Sequence, residues 1–140
     1  MARFVVDESV AIKWLVQEEG TAQALALRHH TLCAPDLLLP ECANILWKKH
    51  HLDELTGRET HVCAGLLARA EVELVPMRGL MAHAMRLSLQ LDHPAYECMY
   101  LALAQARDCA FVTADRRLIR RVRAEQPAGL VIQDLGEFAG

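Results

Sequence analysis

Four acidic residues of this chain stand where a carboxylate needs a reason, and Glu97 poses the question most sharply. Residues 93 to 107 read HPAYECMYLALAQAR, and between Tyr96 and Ala106 the polar side chains besides the tyrosine hydroxyls are Glu97 and Gln105. A helix apolar on most faces belongs in the interior of a globular fold, where an ionised carboxylate is unfavourable unless something pairs with it. The segment's arginine, Arg107, lies ten residues further on. The partner of Glu97 therefore comes from elsewhere in the fold or is a bound cation. Asp7 follows the apolar run FVV, Asp115 comes two residues after AFVT, and Glu41 sits in PECAN, with Asn44 one helical turn on and Lys48 another. Each of these acids alone has a simpler account. Asp7 and Asp115 suit helix caps, and Glu41 and Glu97 suit the positive end of a helix dipole. Together they would repel one another unless a hard divalent cation held them, and oxygen-only ligation selects Mg2+ or Mn2+.

The elements that must position these acids alternate along the chain. FVV (4 to 6) reads as a buried strand, and a helix from about Ser9 to Gln17 places Val10, Ala11, Trp14 and Leu15 on one face. LCA (32 to 34) is a weak strand ended by Pro35; Asp36 then suits the cap of a helix running to about His50, with Pro40 in or near its first turn. A helix from about Glu54 to Arg69, a strand VELV (72 to 75) and a helix carrying Leu80, Ala84, Leu87 and Leu91 follow. After the Glu97 helix come the strand AFVT (110 to 113), an arginine-rich helix from Arg116 to Ala124 and a last strand LVI (130 to 132). Strands separated by helices, without hairpin signals, predict an α/β fold with a parallel sheet covered on both faces. In such a sheet ligands collect beyond the carboxyl ends of the strands, which is where Asp7 and Asp115 fall.

Composition narrows the classes. The 140 residues suffice for one domain with its own core, spanning 1–140, and 53% apolar residues argue for a compact fold. No apolar run approaches membrane-spanning length, and the start MARFVVDES lacks a signal-peptide core. Cys33, Cys42, Cys63, Cys98 and Cys109 form no C-x-x-C pair and read as buried free thiols, the pattern of a reducing cytoplasm. The net charge of −3 argues against generic nucleic-acid coating, yet five of the twelve arginines lie in RRLIRRVR, 116 to 123. Beside an acidic metal site, Arg116, Arg117 and Arg120 become candidate phosphate contacts; otherwise they solvate a helix.

The blocks VVDES (5 to 9), PECAN (40 to 44), YECMYLALA (96 to 104) and VTADRRL (112 to 118) resemble, in order and spacing, the signature blocks of PIN-domain nucleases, and the compact length resembles the VapC-type toxin branch. The resemblance implies a three-layer α/β/α sandwich with a central, mainly parallel five-stranded sheet, metal-dependent RNA cleavage leaving a 5′-phosphate and a 3′-hydroxyl, a homodimer and a cognate antitoxin. It places Asp7, Glu41, Glu97 and Asp115 on the acidic positions and Ser9, Asn44 and Thr113 on the supporting polar ones. Glu97 departs from the usual aspartate. The site so implied holds Mg2+ (or Mn2+) on Asp7 and Asp115, with Glu97 and Glu41 direct or through water, to lower the pKa of a bound water and shield the phosphodiester.

Three rivals are weighed against this. A catalytically weakened PIN-fold module, binding RNA or a partner protein, keeps the fold and drops the activity. Glu97 as a structural acid would pair with Arg107 or Arg116. A phospho-acceptor receiver domain needs a lysine after its last strand, and the chain has none beyond Lys49. His29 with His30, and His50 with His51, are neighbours that point about 100° apart on a helix and cannot chelate one ion together. His93, before Pro94, reads as a turn residue, and Trp14 and Trp47 read as core or dimer-interface residues.

Overall fold

The computed structural model describes residues 2–139. Five strands, β1 (Arg3–Val6), β2 (Thr31–Pro35), β3 (Glu73–Val75), β4 (Ala110–Thr113) and β5 (Ile132–Asp134), form one sheet in the order β3-β2-β1-β4-β5. Every pairing is parallel, so the fold is the expected α/β sandwich with a central five-stranded sheet. The chain runs outward from β1 through β2 to β3, then crosses to the other side of β1 to lay down β4 and β5. That reversal opens a crevice between the carboxyl ends of β1 and β4, the place where doubly wound sheets bind ligands. Asp7 and Asp115 flank it.

Alternation along the strands builds two cores. Val5 and Phe111, paired in register, face the larger one; Val6 and Val112, the next pair, face the smaller. Helix α6 (Ala95–Arg107) lies against the sheet in the larger core, with every residue from Cys98 to Ala104 buried. This explains its composition: the helix touches sheet on one side and α5 (Met81–Leu91) on another, so no long solvent face remains. Helix α7 (Arg116–Glu125) is divided instead, with Leu118, Ile119 and Val122 buried and its arginines outward.

Local chemistry moved several elements from their expected places. The sequence reading missed α2 (Thr21–Leu27), a seven-residue helix that follows Gly20 at φ +90° and has no side-chain cap at Gly20. Asp36 does not cap α3 (Leu38–His51); its Oδ1 accepts from the Met77 amide at 3.2 Å and ties the end of β2 to the turn before α5. Helix α4 (Gly57–Ala68) starts later than expected because Thr56 and Glu59 form a reciprocal capping box. Strand β5 is shifted two residues along from the apolar run LVI and shares only Ile132 with it, since Phe111 pairs with Ile132 and fixes the register there. Helix α1 (Glu8–Leu15) buries Trp14 partly, its indole N–H donating to the Ala24 carbonyl at 2.7 Å. Trp47, by contrast, is 58% exposed and stacks on His51, so it is no core residue. No helix among the described residues is long and apolar enough to cross a membrane, and all five cysteines are free.

Candidate active site

Asp7 is the structural centre of the site. It is 2% exposed at the end of β1, and it caps α1 by accepting from the Ser9 amide at 3.1 Å. Its Oδ1 also takes the Ser9 hydroxyl at 2.5 Å, and its Oδ2 takes the Thr113 hydroxyl at 2.6 Å. Each hydroxyl has one proton to give. With both spent on Asp7, the 3.2 Å approach of Ser9 Oγ to Thr113 Oγ1 is left as a contact between two acceptors. Those same oxygens accept in turn: Ser9 Oγ from the Ala114 amide at 2.9 Å, Thr113 Oγ1 from the Asp115 amide at 3.0 Å. The two hydroxyls thereby bolt the end of β4 to the start of α1. Asp115, next along, caps α7 through Oδ1, accepting from the Arg117 and Leu118 amides at 3.1 and 3.2 Å. Capping and site membership are thus combined in both aspartates: the cap sets the carboxylate's direction, and the strand end sets its place.

Glu41 comes from the first turn of α3 and is held by Tyr100 of α6, whose phenol donates to Oε1 at 2.5 Å. Tyr100 is 1% exposed, stacks near Phe111 of β4, and has its phenol pushed far up by burial and by the Glu41 carboxylate. Sequence reasoning missed Glu8. It lies in the first turn of α1, where an acid reads as a dipole partner, yet the fold turns it into the cluster. Burial first, then the charges of Asp7, Glu41 and Glu97, push its carboxyl from 4.5 to about 9. Burial, opposed by Ser9 and Thr113 and aided by Asp115, raises Asp7 to about 6. Glu41 is raised too, by burial and then by Glu97 against the pull of Tyr100 and Glu8. Mutual repulsion therefore joins five acids, the four expected and Glu8.

Among the described residues no arginine pairs with Glu97. Arg107 forks onto Glu73 at 3.1 and 2.9 Å, and Arg116 lines a separate hollow with Lys13, Glu19 and Asp134. Both partners expected for a structural role are thus engaged or placed elsewhere. Among the described residues Glu97 Oε2 is buried without a hydrogen-bond partner, the His93 ring nitrogen Nε2 lying 3.6 Å away. Its cleft, about 510 Å³, is lined by His93, Glu97, Asp115, Arg117, Arg120 and Arg121 among others. Of the three candidate phosphate contacts, Arg117 and Arg120 stand beside the acids and Arg116 does not. Arg121 joins the cleft, but its Nε donates to the Leu91 carbonyl at 2.6 Å. Asn44 is exposed and hydrogen-bonds to none of the acids among the described residues.

The donors suit a hard cation: oxygen throughout, with burial and mutual repulsion pushing the Asp7, Glu8 and Glu41 carboxyls up. Among the described residues no group of three His, Cys, Asp or Glu side chains is already gathered to ligate an ion.

The PIN domain profile matches residues 4–125. The chain is 32% identical over 127 residues to the VapC ribonuclease Mb0985 of Mycobacterium bovis and to ribonuclease VapC9 of Mycobacterium tuberculosis, covering 91% of this chain and 97% of each relative. Among solved structures, PAE2754 from Pyrobaculum aerophilum superposes with a TM-score of 0.69 at 19% identity, covering 96% of this chain and 84% of that one. VapBC2 from Rickettsia felis, solved bound to a DNA fragment from their promoter, does so at 0.62 and 9%, covering 94% and 98%. The acids at the strand ends, the parallel sheet that sets them there and the match across 4–125 agree: this chain belongs to the PIN domain family, in its VapC branch.

Proposed function

We propose that the chain is a metal-dependent endoribonuclease of the cytoplasm and the toxin of a toxin–antitoxin pair, a homodimer whose cognate antitoxin restrains it. The observation that carries the enzymatic part is the buried carboxylate cluster at the β1–β4 crevice, with Asp7 oriented by two hydroxyls and burial and mutual repulsion pushing the Asp7, Glu8 and Glu41 carboxyls up. The toxin role rests on the VapC relatives, matched over nearly their whole length. Asp7, Asp115, Glu97 and Glu41 would hold Mg2+ or Mn2+, and Glu8 adds a fifth oxygen donor. Such an ion supplies a nucleophilic water at neutral pH and screens the phosphodiester.

The chain's own residues do the rest. Ser9 and Thr113 keep both Asp7 oxygens turned inward without using all their lone pairs. Tyr100 holds Glu41 against rotation. Arg117 and Arg120 line the wall of the same cleft, where a guanidinium pairs with phosphate oxygens in a fork. A polyanion thus meets cationic side chains at the mouth and acids beneath, and the contact is blind to base identity.

The purified chain should cut single-stranded or looped RNA with Mg2+ or Mn2+ and stop on addition of EDTA; metal-independent cleavage, or none, would refute the reading. Expression alone should arrest growth until an antitoxin is co-expressed. Harmless accumulation of an RNA-cleaving protein would remove the toxin role and leave the enzyme. Tyr100→Phe deletes the donor to Glu41 with little change in volume. Its turnover should fall by about tenfold, the scale on which partners of metal ligands act. A Tyr100→Phe protein with wild-type turnover would show that Glu41 needs no holding.

A further inference from the structure

His93 stands four residues before Glu97, in the turn that delivers α6 to the site, and its Nε2 lies 3.6 Å from Glu97 Oε2. Both atoms are buried, and neither has a hydrogen-bond partner among the described residues. The histidine's backbone is pinned on both sides. Its amide donates to the Ser88 carbonyl at 3.1 Å, and its carbonyl accepts from the Ser88 hydroxyl at 2.6 Å. Asp92 before it is left-handed at φ +49°, and Pro94 after it is extended. The ring is thus presented by a fixed turn, with only its own torsions free.

The other charged groups of the cleft do not compete for Glu97. Asp92 and Asp115 are acids, and Arg121 is spent on Leu91 and lies 3.8 Å from Asp92. Arg117 and Arg120 form no ion pair with Glu97 among the described residues. A glutamate has one more rotatable bond than an aspartate and reaches about 1.5 Å further. It can therefore serve the cluster only if something fixes that extra torsion. His93 stands one residue ahead of the Pro94 cap of α6, so the turn and not a helical register brings the two side chains together, and a gap of 3.6 Å closes to hydrogen-bond length by a small side-chain rotation.

We propose that His93 is the positioning residue for Glu97: Nε2–H donates to Oε2, filling the valence of both orphaned atoms and leaving Oε1 for the cation that the acids of the cluster would hold. The neutral ring suffices, as the tautomer with hydrogen on Nε2. This explains how a glutamate works at a position where the family uses aspartate, and it rests on the reading of the cluster as a cation site.

The test is a double-mutant cycle on the full chain, read by calorimetric titration with Mn2+ in the absence of RNA, with a thermal melt of each sample. His93→Phe, which fills the space without a donor, should weaken Mn2+ binding by about tenfold. His93→Gln, whose amide can reach the Nε2 position, should restore most of it. In a Glu97→Asp background the shorter acid cannot reach the ring, so His93→Phe should cost nothing further. Equal losses in both backgrounds would overturn the proposal, as would unchanged Mn2+ affinity with a raised KM for RNA, the mark of a phosphate contact. If His93→Phe melts early, the His93→Gln protein decides in the Glu97 background: affinity near wild type supports positioning by the donor, and a tenfold loss refutes it. Wild-type protein that takes up no Mn2+ refutes the cation site itself, whereas wild-type binding that His93→Phe leaves unchanged refutes only the role of His93.

Discussion

Asp7→Asn should abolish RNA cleavage while raising the melting temperature of the metal-free protein. The two effects share one cause. Asp7 is 2% exposed, and burial together with the charge of Asp115 raises its carboxyl to about 6 although Ser9 and Thr113 donate to it. Above that pH the folded chain therefore carries the ionised form at a cost to its stability, and asparagine removes the charge while keeping the shape. The hydrogen bonds survive the exchange: the amide oxygen accepts from Ser9, and the amide nitrogen donates to Thr113 Oγ1, a hydroxyl that can turn to accept. What asparagine cannot do is supply an anionic oxygen to a hard cation. Turnover should drop on the order of 10³-fold, and the melting temperature in EDTA at pH 7.5 should rise by roughly 3 °C. Undiminished cleavage would sink the nuclease reading. Lost cleavage with a lower melting temperature would mean that Asp7 contributes more as a cap and strut than its burial costs.

The parts of this site differ in how far they can be read from the chain. Strand ends are legible, because a parallel strand buried on both faces is a short apolar run and the acid that follows it has one place to go. Asp7 after FVV and Asp115 after AFVT are placed on that ground, and the topology puts the two strands side by side. Glu97 is legible as a problem, through the apolar helix around it. Its neighbour His93 is not: the i, i+4 spacing is visible, but Pro94 between them reads as a turn, and the approach of the two side chains depends on a backbone pinned by Ser88. Glu8 hides for another reason. An acid in the first turn of a helix has a sufficient local account in the dipole, and only the tertiary approach of Glu41 and Glu97 turns it into a fifth member of the cluster. The signal that was available is the pair of adjacent acids, Asp7 and Glu8, where a strand passes directly into a helix. Arg116 and Arg117 separate on the same logic, since neighbours about 100° apart on a helix face different hollows. Helix α2 and the register of β5 are set by pairing partners and packing, for which the local sequence carries little weight.

The stability of the metal-free protein should fall as pH rises, and Glu8 should carry much of the slope. In the folded chain Glu8 keeps its proton up to about pH 9, whereas in the unfolded chain it ionises near 4.5. Between those values unfolding releases a proton, so the unfolded state is favoured increasingly as pH rises. The stability that protonated Glu8 contributes is complete below pH 4.5 and is lost as pH climbs toward 9. Asp7 acts with the same sign between 3.8 and about 6, and Glu41 in the same direction. In EDTA, the melting temperature should drop by roughly 5 °C or more from pH 5.5 to pH 8.5. Glu8→Gln is neutral at every pH and should remove about half of that drop, leaving the variant more stable than wild type at pH 8.5. A cation reverses the balance, because it favours the ionised acids and so lowers their pKa values. Saturating Mg2+ should then raise the melting temperature more at pH 8.5 than at pH 5.5, since at the lower pH the ion must first displace protons. The same pH slope in Glu8→Gln as in wild type would place the repulsion elsewhere in the cluster. An equal Mg2+ effect at both pH values would mean that the ion binds away from these acids, and with it would go the account of why five carboxylates share one crevice.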